Sequence, residues 1–364
     1  MLQHLKRPWL RSPAFDVALL AFCWVPVYLW VVFGLGLGAA PLGLPDLSAL
    51  EKRQALTLAI LVVLGLTYIH RHYTFLLIYG DKATFQDRAR DYVVAPLVIF
   101  GVAAALLSIE EPFEIGGARV PAFAALLLVS GLWNVWHTVQ QRYGILRAYA
   151  GKAGGGLQTR SQARRDRALL WTLVGMLAVV LPVARPTTFS DHPASARVLR
   201  FLTPVIEHAA YRAIVIATLV FTAVVVLWWW RGERMAAVDR IPRWTFLAST
   251  ILLFAVFLVH GPIVGYLCFG AAHALEYLAF VHHFAERRFA GRDRRSLAAV
   301  LLGRPLVFAP IVIAAFGALY LLVQPSRGSE VFLAYYVGTS MLHFLFDGWI
   351  WKLRKPAVAA PLGI

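Results

Sequence analysis

The chain has 364 residues, 60% of them hydrophobic, and a formal net charge of +16. This apolar content exceeds what a soluble fold of such length can bury, so a water-soluble globular protein is excluded. The basic residues lie in short segments between apolar stretches, where they orient a membrane protein, and we expect no nucleic-acid partner. Cys23 and Cys268 both lie in apolar stretches, so neither a disulfide nor a cysteine metal site is expected.

Long apolar stretches divide the chain into about ten predicted transmembrane helices, because about 20 apolar residues cross the hydrocarbon core. The first stretch is longer than the roughly 7–15 residues of a signal-peptide core, so we expect it to be an uncleaved span. Without an internal repeat or a soluble segment, the sequence predicts an all-α, polytopic transmembrane helix bundle, a single integral membrane domain over residues 1–364. The predicted spans are 14–39, 54–79, 93–109, 120–145, 168–184, 210–230, 244–260, 263–286, 305–323 and 331–351.

The basic residues predict the orientation of these spans. They cluster at the N-terminus and in segments 82–90, 142–167, 231–243, 287–304 and 352–355. The positive-inside rule makes these segments, and so both termini, cytoplasmic, as in a protein of the bacterial inner membrane. Because 231–243 and 287–304 lie on one side, two spans must separate them. We predict that these spans meet at His260-Gly261-Pro262, where Gly and Pro favour a turn; a re-entrant pair is the alternative.

Polar side chains within the predicted spans lie almost entirely on the even-numbered spans. At a rise of about 1.5 Å per residue, His70, His137, His283 and Asp347 lie roughly 25–30 Å along their helices, at one depth in the cytoplasmic half. An ionisable group inside a bilayer costs about 2.5–3.5 kcal/mol and is seldom retained without a role. Several such groups at one depth predict a functional site.

Helical phase predicts which of these side chains face together. His273, Glu276 and His283 lie on one stripe of the eighth span, and His343 and Asp347 lie four residues apart on the tenth. Imidazole with carboxylate is a ligand set for iron, zinc or manganese, whereas calcium and magnesium prefer more oxygen ligands. The predicted metal ligands are His70, His72, His137, His273, Glu276, His283, His343 and Asp347.

Helical phase separates two histidines, His72 and His282, from the other candidates. His70 and His72 cannot both face one site on a regular helix, so one of them is expected to support the ligands, or the helix loosens there. His282 points away from the stripe of its own span, and a hydrogen bond between helices is an equal alternative for it and for His72.

More than four ligands would suit two iron ions better than one ion, and zinc is the alternative metal.

At His282-His283 and His70-Arg71-His72 the chain distantly resembles the histidine-box membrane enzymes. This group includes fatty-acid desaturases, alkane and sterol hydroxylases and, more distantly, bacterial carotene-cleaving oxygenases. The resemblance implies non-haem iron, dioxygen and a lipid-like substrate. The boxes of those families are His-x-x-x-His and His-x-x-His-His, whereas Ala279 stands three residues before His282 and no His-x-x-x-His occurs here. Their ligand assignments are therefore not carried over.

The first functional hypothesis is a di-iron membrane oxidoreductase that hydroxylates or desaturates a lipid-like substrate. The histidines would hold the metal, and the candidate catalytic residues Glu276 and Asp347 would bridge the ions or orient a ligand. Because no Gly-x-Gly-x-x-Gly follows a strand, we expect electrons from a separate donor protein.

Three alternatives remain open at this stage. A zinc-dependent, ceramidase-like lipid hydrolase would use Asp347 or Glu276 as general base. A transporter of protons or metal ions would use the polar groups as a pathway without catalysis. A haem protein with two axial histidines would lack the Cys-x-x-Cys-His attachment sequence.

Overall fold

A computed structural model describes residues 8–45, 47–109, 111–115, 118–154, 156–184, 202–235, 239–290 and 296–364. Within them the fold is all-α, as the sequence predicts, apart from a short antiparallel hairpin of strands Phe113–Ile115 and Ala118–Val120. The principal helices are Pro13–Ala21, Val25–Gly34, Ala49–Tyr79, Lys82–Gln86, Ala89–Leu107, Phe123–Gly154, Arg160–Ala184, Ala209–Arg234, Ile241–Arg288, Leu297–Leu302, Pro305–Val323, Glu330–Ile350 and Pro356–Leu362.

Several of these helices are long and apolar enough to cross a membrane. Within the described ranges, six helices qualify singly, and the pair Pro13–Ala21 and Val25–Gly34, bent by 47°, makes a seventh candidate. The fold is therefore that of a multi-pass integral membrane protein, with fewer candidate spans than the ten predicted. Helices 123–154 and 330–350 are not among the candidates; they carry His137, His343 and Asp347, and such polar side chains lower the mean hydropathy.

The element Ile241–Arg288 consists of two helices that meet at Gly261. The backbone there has φ 87° and ψ 176°, a conformation that glycine adopts without steric cost. The ring centroids of Phe254 and Phe269 lie 6.0 Å apart. In a straight helix, 15 residues would separate them by about 22 Å. The chain therefore reverses at Gly261, which confirms the predicted turn.

The chain divides into two compact units. The first comprises Met1–Val63, Tyr143–Glu276 and Gly363–Ile364, and the second comprises Leu64–Arg142 and Tyr277–Leu362. The core of the second unit is rich in aromatic and branched apolar side chains, among them Tyr73, Leu77, Ile78, Tyr92, Val281, Leu342 and Phe346.

A buried ion cluster joins the helices of the first unit. The Arg243 guanidinium is 1% exposed and lies between two carboxylates, with Nη2 at 2.8 Å from Asp166 Oδ1 and 3.0 Å from Glu233 Oε1. Its Nη1 donates to the Leu146 carbonyl oxygen at 2.8 Å. These residues lie on four different helices, and a buried charge that loses its partner destabilises a fold by about 3–5 kcal/mol. The cluster therefore holds the four helices in register.

We expect Gly265→Ala to destabilise the hairpin that turns at Gly261. A Cβ at Gly265 would overlap the Phe257 ring at its attachment point, where the side chain has little freedom to move. Overpacking of this kind costs about 1–3 kcal/mol. The thermal midpoint of monodisperse protein in detergent should fall. The matched control is Gly175→Ala, a helical position with open space around the new methyl group, where the midpoint should stay or rise. A Gly265→Ala protein that melts at or above the wild-type temperature would contradict this packing.

Candidate metal centre

Three helices of the second unit bring three imidazoles and one carboxylate together. His70 comes from helix 49–79, His137 from helix 123–154, and His343 and Asp347 from helix 330–350. His70 Nε2 lies 3.1 Å from His343 Nε2, and the ring centroids of His137 and His343 are 4.7 Å apart. His137 Nε2 lies 3.7 Å from Asp347 Oδ2. All four side chains are buried, and we call this set the His-Asp cluster.

Three members of the His-Asp cluster lie close enough together to hold a metal ion. Each of His137, His343 and Asp347 offers one ligand atom, and these atoms lie within 4.8 Å of one another. Two nitrogens bound to one ion at 2.0–2.1 Å in tetrahedral geometry would be about 3.3 Å apart. The observed 3.1 Å between His70 Nε2 and His343 Nε2 is close to this value. Small movements of the side chains would therefore suffice for coordination.

Thr74 and Tyr277 orient the His-Asp cluster. Thr74 Oγ1 lies 2.7 Å from His343 Nδ1 and donates to Asp347 Oδ1 at 2.9 Å, while the Tyr277 hydroxyl donates to the same oxygen at 2.8 Å. With the Thr74 hydroxyl donating to Asp347, its oxygen can accept the Nδ1–H of His343. Nε2 of His343 is then left as the ligand nitrogen. Metal-binding histidines commonly have such a partner on the second ring nitrogen.

The sequence predictions did not include Thr74, although a signal was present. Thr74 lies four residues after His70, so helical phase places both on one face. A threonine in an apolar helix is common, however, and its hydroxyl is usually satisfied by a backbone carbonyl.

Aromatic side chains surround the His-Asp cluster. The Phe344 ring lies 4.8 Å from the His137 ring and 5.9 Å from the Trp133 ring, centroid to centroid. The Tyr277 ring lies 5.3 Å from His343. Such walls exclude water and strengthen electrostatic interactions within the site.

Two predicted or possible ligands have their ring nitrogens engaged elsewhere. His72 Nδ1 lies 2.6 Å from the Tyr68 carbonyl oxygen, and its Nε2 lies 2.9 Å from the Tyr335 hydroxyl. His282 Nδ1 lies 3.1 Å from the Leu302 carbonyl oxygen, and its Nε2 lies 3.1 Å from the Tyr73 hydroxyl. Both side chains link elements of the second unit, and the structure does not bring either one into the His-Asp cluster.

The other three predicted ligands are also buried. His283 lies in the second unit, and among the described residues it belongs to none of the groups whose ligand atoms are close enough to share a metal ion. His273 and Glu276 belong to the first unit. Their role as ligands rests on helical phase and stays a prediction.

Comparison of the chain with protein-family models, with curated proteins and with solved structures finds no match. The class of protein is therefore defined by the fold and the site alone. It is a multi-pass, all-α integral membrane protein with a buried cluster of histidines and a carboxylate that can hold a metal ion.

We expect Thr74→Val to weaken metal binding about 10–100-fold, the usual effect of losing the hydrogen-bond partner of a metal ligand. Valine matches the shape of threonine but removes the hydroxyl that contacts His343 and Asp347. Affinity is measured by competition with a chelator of known strength. Thr74→Ser keeps a hydroxyl and should restore most of the affinity. Equal affinities for the valine variant and the wild type would exclude this positioning role.

Proposed function

We propose that the chain is a non-haem iron oxidoreductase of the membrane that hydroxylates or desaturates a lipid-like substrate. The observation that supports this most directly is the group His137, His343 and Asp347, whose ligand atoms lie within 4.8 Å of one another. Two histidines and one carboxylate are the ligand set of the facial triad in non-haem Fe(II) oxygenases. His70 adds a third imidazole beside His343. The histidine-box resemblance points to the same chemistry.

The residues of the chain have separate tasks in this proposal. His70, His137, His343 and Asp347 hold the iron, and bound iron supplies the activation of dioxygen. Thr74 and Tyr277 fix the Asp347 carboxylate in one orientation through two hydrogen bonds to Oδ1. The rings of Phe344 and Trp133 keep water away from the reacting atoms.

The number of irons depends on residues outside the His-Asp cluster. His137, His343 and Asp347 supply enough ligands for one ion, and His70 lies beside His343. A second iron stays a prediction of the sequence, which rests on the shared helical phase of His273, Glu276 and His283. Electrons would come from a separate donor protein, since the sequence has no dinucleotide-binding motif.

The proposed topology places this chemistry at the cytoplasmic half of a bacterial inner membrane. The proposed topology has ten spans in a single integral membrane domain. Seven of them are the candidate spans described under the fold. The other three are helix 123–154, helix 330–350 and the second half of Ile241–Arg288. Both termini are then cytoplasmic.

We expect a green fluorescent protein fused after Ile364 to fluoresce in a bacterial host and an alkaline phosphatase fused there to be inactive, because the first folds in the cytoplasm and the second in the periplasm. The same pair of fusions after Pro112, between two predicted spans, should behave in the opposite way. Active phosphatase at Ile364 would refute the ten-span topology.

Metal analysis tests the function. Protein purified in mild detergent without chelators should contain about one or two irons per chain by mass spectrometry, and His343→Ala and His137→Ala should lose the iron while remaining monodisperse. A matched pair of variants is His70→Ala and His72→Ala, two residues apart on one helix, of which His72→Ala is the control. The first should reduce the iron content and the second should not, because the ring nitrogens of His72 contact Tyr68 and Tyr335. Absence of stoichiometric metal in wild-type protein would refute the proposal.

A zinc-dependent lipid hydrolase is the second candidate. It is favoured by the three imidazoles of the His-Asp cluster, since three histidines hold the zinc ion of several hydrolytic sites. Asp347 would act as general base, positioned by Thr74 and Tyr277. About one zinc per chain and no iron in the same analysis would favour this reaction over the oxidative one.

A further inference from the structure

Arg71 is a buried cation within a candidate membrane span. It lies in helix 49–79, next to His70, and its side chain is 2% exposed. Nε donates to the Thr67 carbonyl oxygen at 3.1 Å. Nη1 donates to the Tyr336 carbonyl oxygen and the Ser340 hydroxyl, both at 2.7 Å, and lies 3.1 Å from the Thr339 hydroxyl. The guanidinium carbon lies 4.0 Å from the centre of the Tyr336 ring.

All of these partners are neutral. Within the described part of the chain, Arg71 forms no ion pair with a carboxylate, and its Nη2 takes part in none of these hydrogen bonds. Arg243, in the first unit, lies between two carboxylates. A cation held in an apolar environment without a counter-ion is strongly disfavoured. Within the described residues, the Arg71 guanidinium has hydrogen-bond partners but no counter-ion.

We propose that Arg71 binds the oxyanion headgroup, a carboxylate or a phosphate, of an aliphatic molecule that is the substrate of the His-Asp cluster. A guanidinium matches both anions because its N–H groups form a planar fork. A free water-soluble anion is disfavoured, since it would have to leave water for an apolar site, whereas an aliphatic tail stabilises the molecule among the helices.

The position of Arg71 connects the headgroup to the metal centre. Thr339 and Ser340 precede His343 by four and three residues on helix 330–350, which is about one helical turn, or about 5 Å. A molecule bound at Arg71 would therefore reach the His-Asp cluster with its aliphatic part. This inference rests on the proposed function, because it names the substrate class of the same site.

Competition binding tests the inference on the full chain. Radiolabelled hexadecanoate is bound to the protein in nanodiscs of zwitterionic lipid, and unlabelled hexadecanoate, hexadecyl phosphate and hexadecanol compete for it. We expect at least one of the anions to compete about tenfold or more better than the alcohol of equal chain length, since a charge-assisted hydrogen bond to a buried group contributes at least that factor. The anion that binds more tightly identifies the headgroup as carboxylate or phosphate.

Variants separate recognition from packing. Arg71→Gln should abolish the preference for the anion, Arg71→Lys should keep it with weaker binding, and His72→Gln, at the adjacent position, should leave it unchanged. Equal competition by anions and alcohol in the wild type would overturn the inference, and so would a preference that survives in Arg71→Gln. If the Arg71→Gln protein is not monodisperse, the comparison of the anions with hexadecanol in the wild-type protein alone decides whether the inference holds.

The iron content of the same samples distinguishes failure of this inference from failure of the proposed function. Iron-loaded wild-type protein without anion preference overturns the role of Arg71 and leaves the metal centre standing. Metal-free wild-type protein with an Arg71-dependent preference overturns the oxidoreductase and leaves the anion site standing.

Discussion

A polar group inside a bilayer has no water to bond with, and the arrangement of this protein follows from that constraint. A buried histidine, arginine or carboxylate therefore takes hydrogen-bond partners from other elements of the chain. His282 does so through Leu302 and Tyr73, and Arg71 through Tyr336, Thr339 and Ser340. These contacts hold the helices together with a directionality that apolar packing lacks, because lipid tails are as apolar as a leucine side chain.

The sequence predicted those features that depend on regular helix geometry. A four-residue separation placed His343 and Asp347 on one face, and a step of about 100° per residue separated His70 from His72. The turn at Gly261 could also be predicted, since glycine and proline adjoin there and the charges on either side required an even number of crossings. In each case the information lies within one helix or in the order of the helices.

Features that depend on contacts between helices could not be predicted in the same way. Nothing in the sequence around His72 indicates that its Nε2 forms a hydrogen bond with the hydroxyl of Tyr335, more than 260 residues later. The role of Thr74 depends on the same kind of contact, because its hydroxyl has a defined task only when His343 and Asp347 lie opposite. The sequence predicted ten spans, and helix 330–350 is one of them. It is not among the candidate spans of the structure, because its polar side chains lower its mean hydropathy.

The three consecutive residues His70, Arg71 and His72 show how one helix serves three environments. Successive side chains point about 100° apart, so adjacent residues face different neighbours even though they lie at nearly the same depth. His70 faces His343, His72 contacts Tyr68 and Tyr335, and Arg71 bonds to Thr339 and Ser340. Since His343 follows Ser340 by less than one turn, the contacts of His70 and of Arg71 lie on the same two helices. A shift of helix 49–79 by one residue would exchange all three environments, so His70 and Arg71 would lose their present partners together. The packing that fixes this register is therefore part of the site.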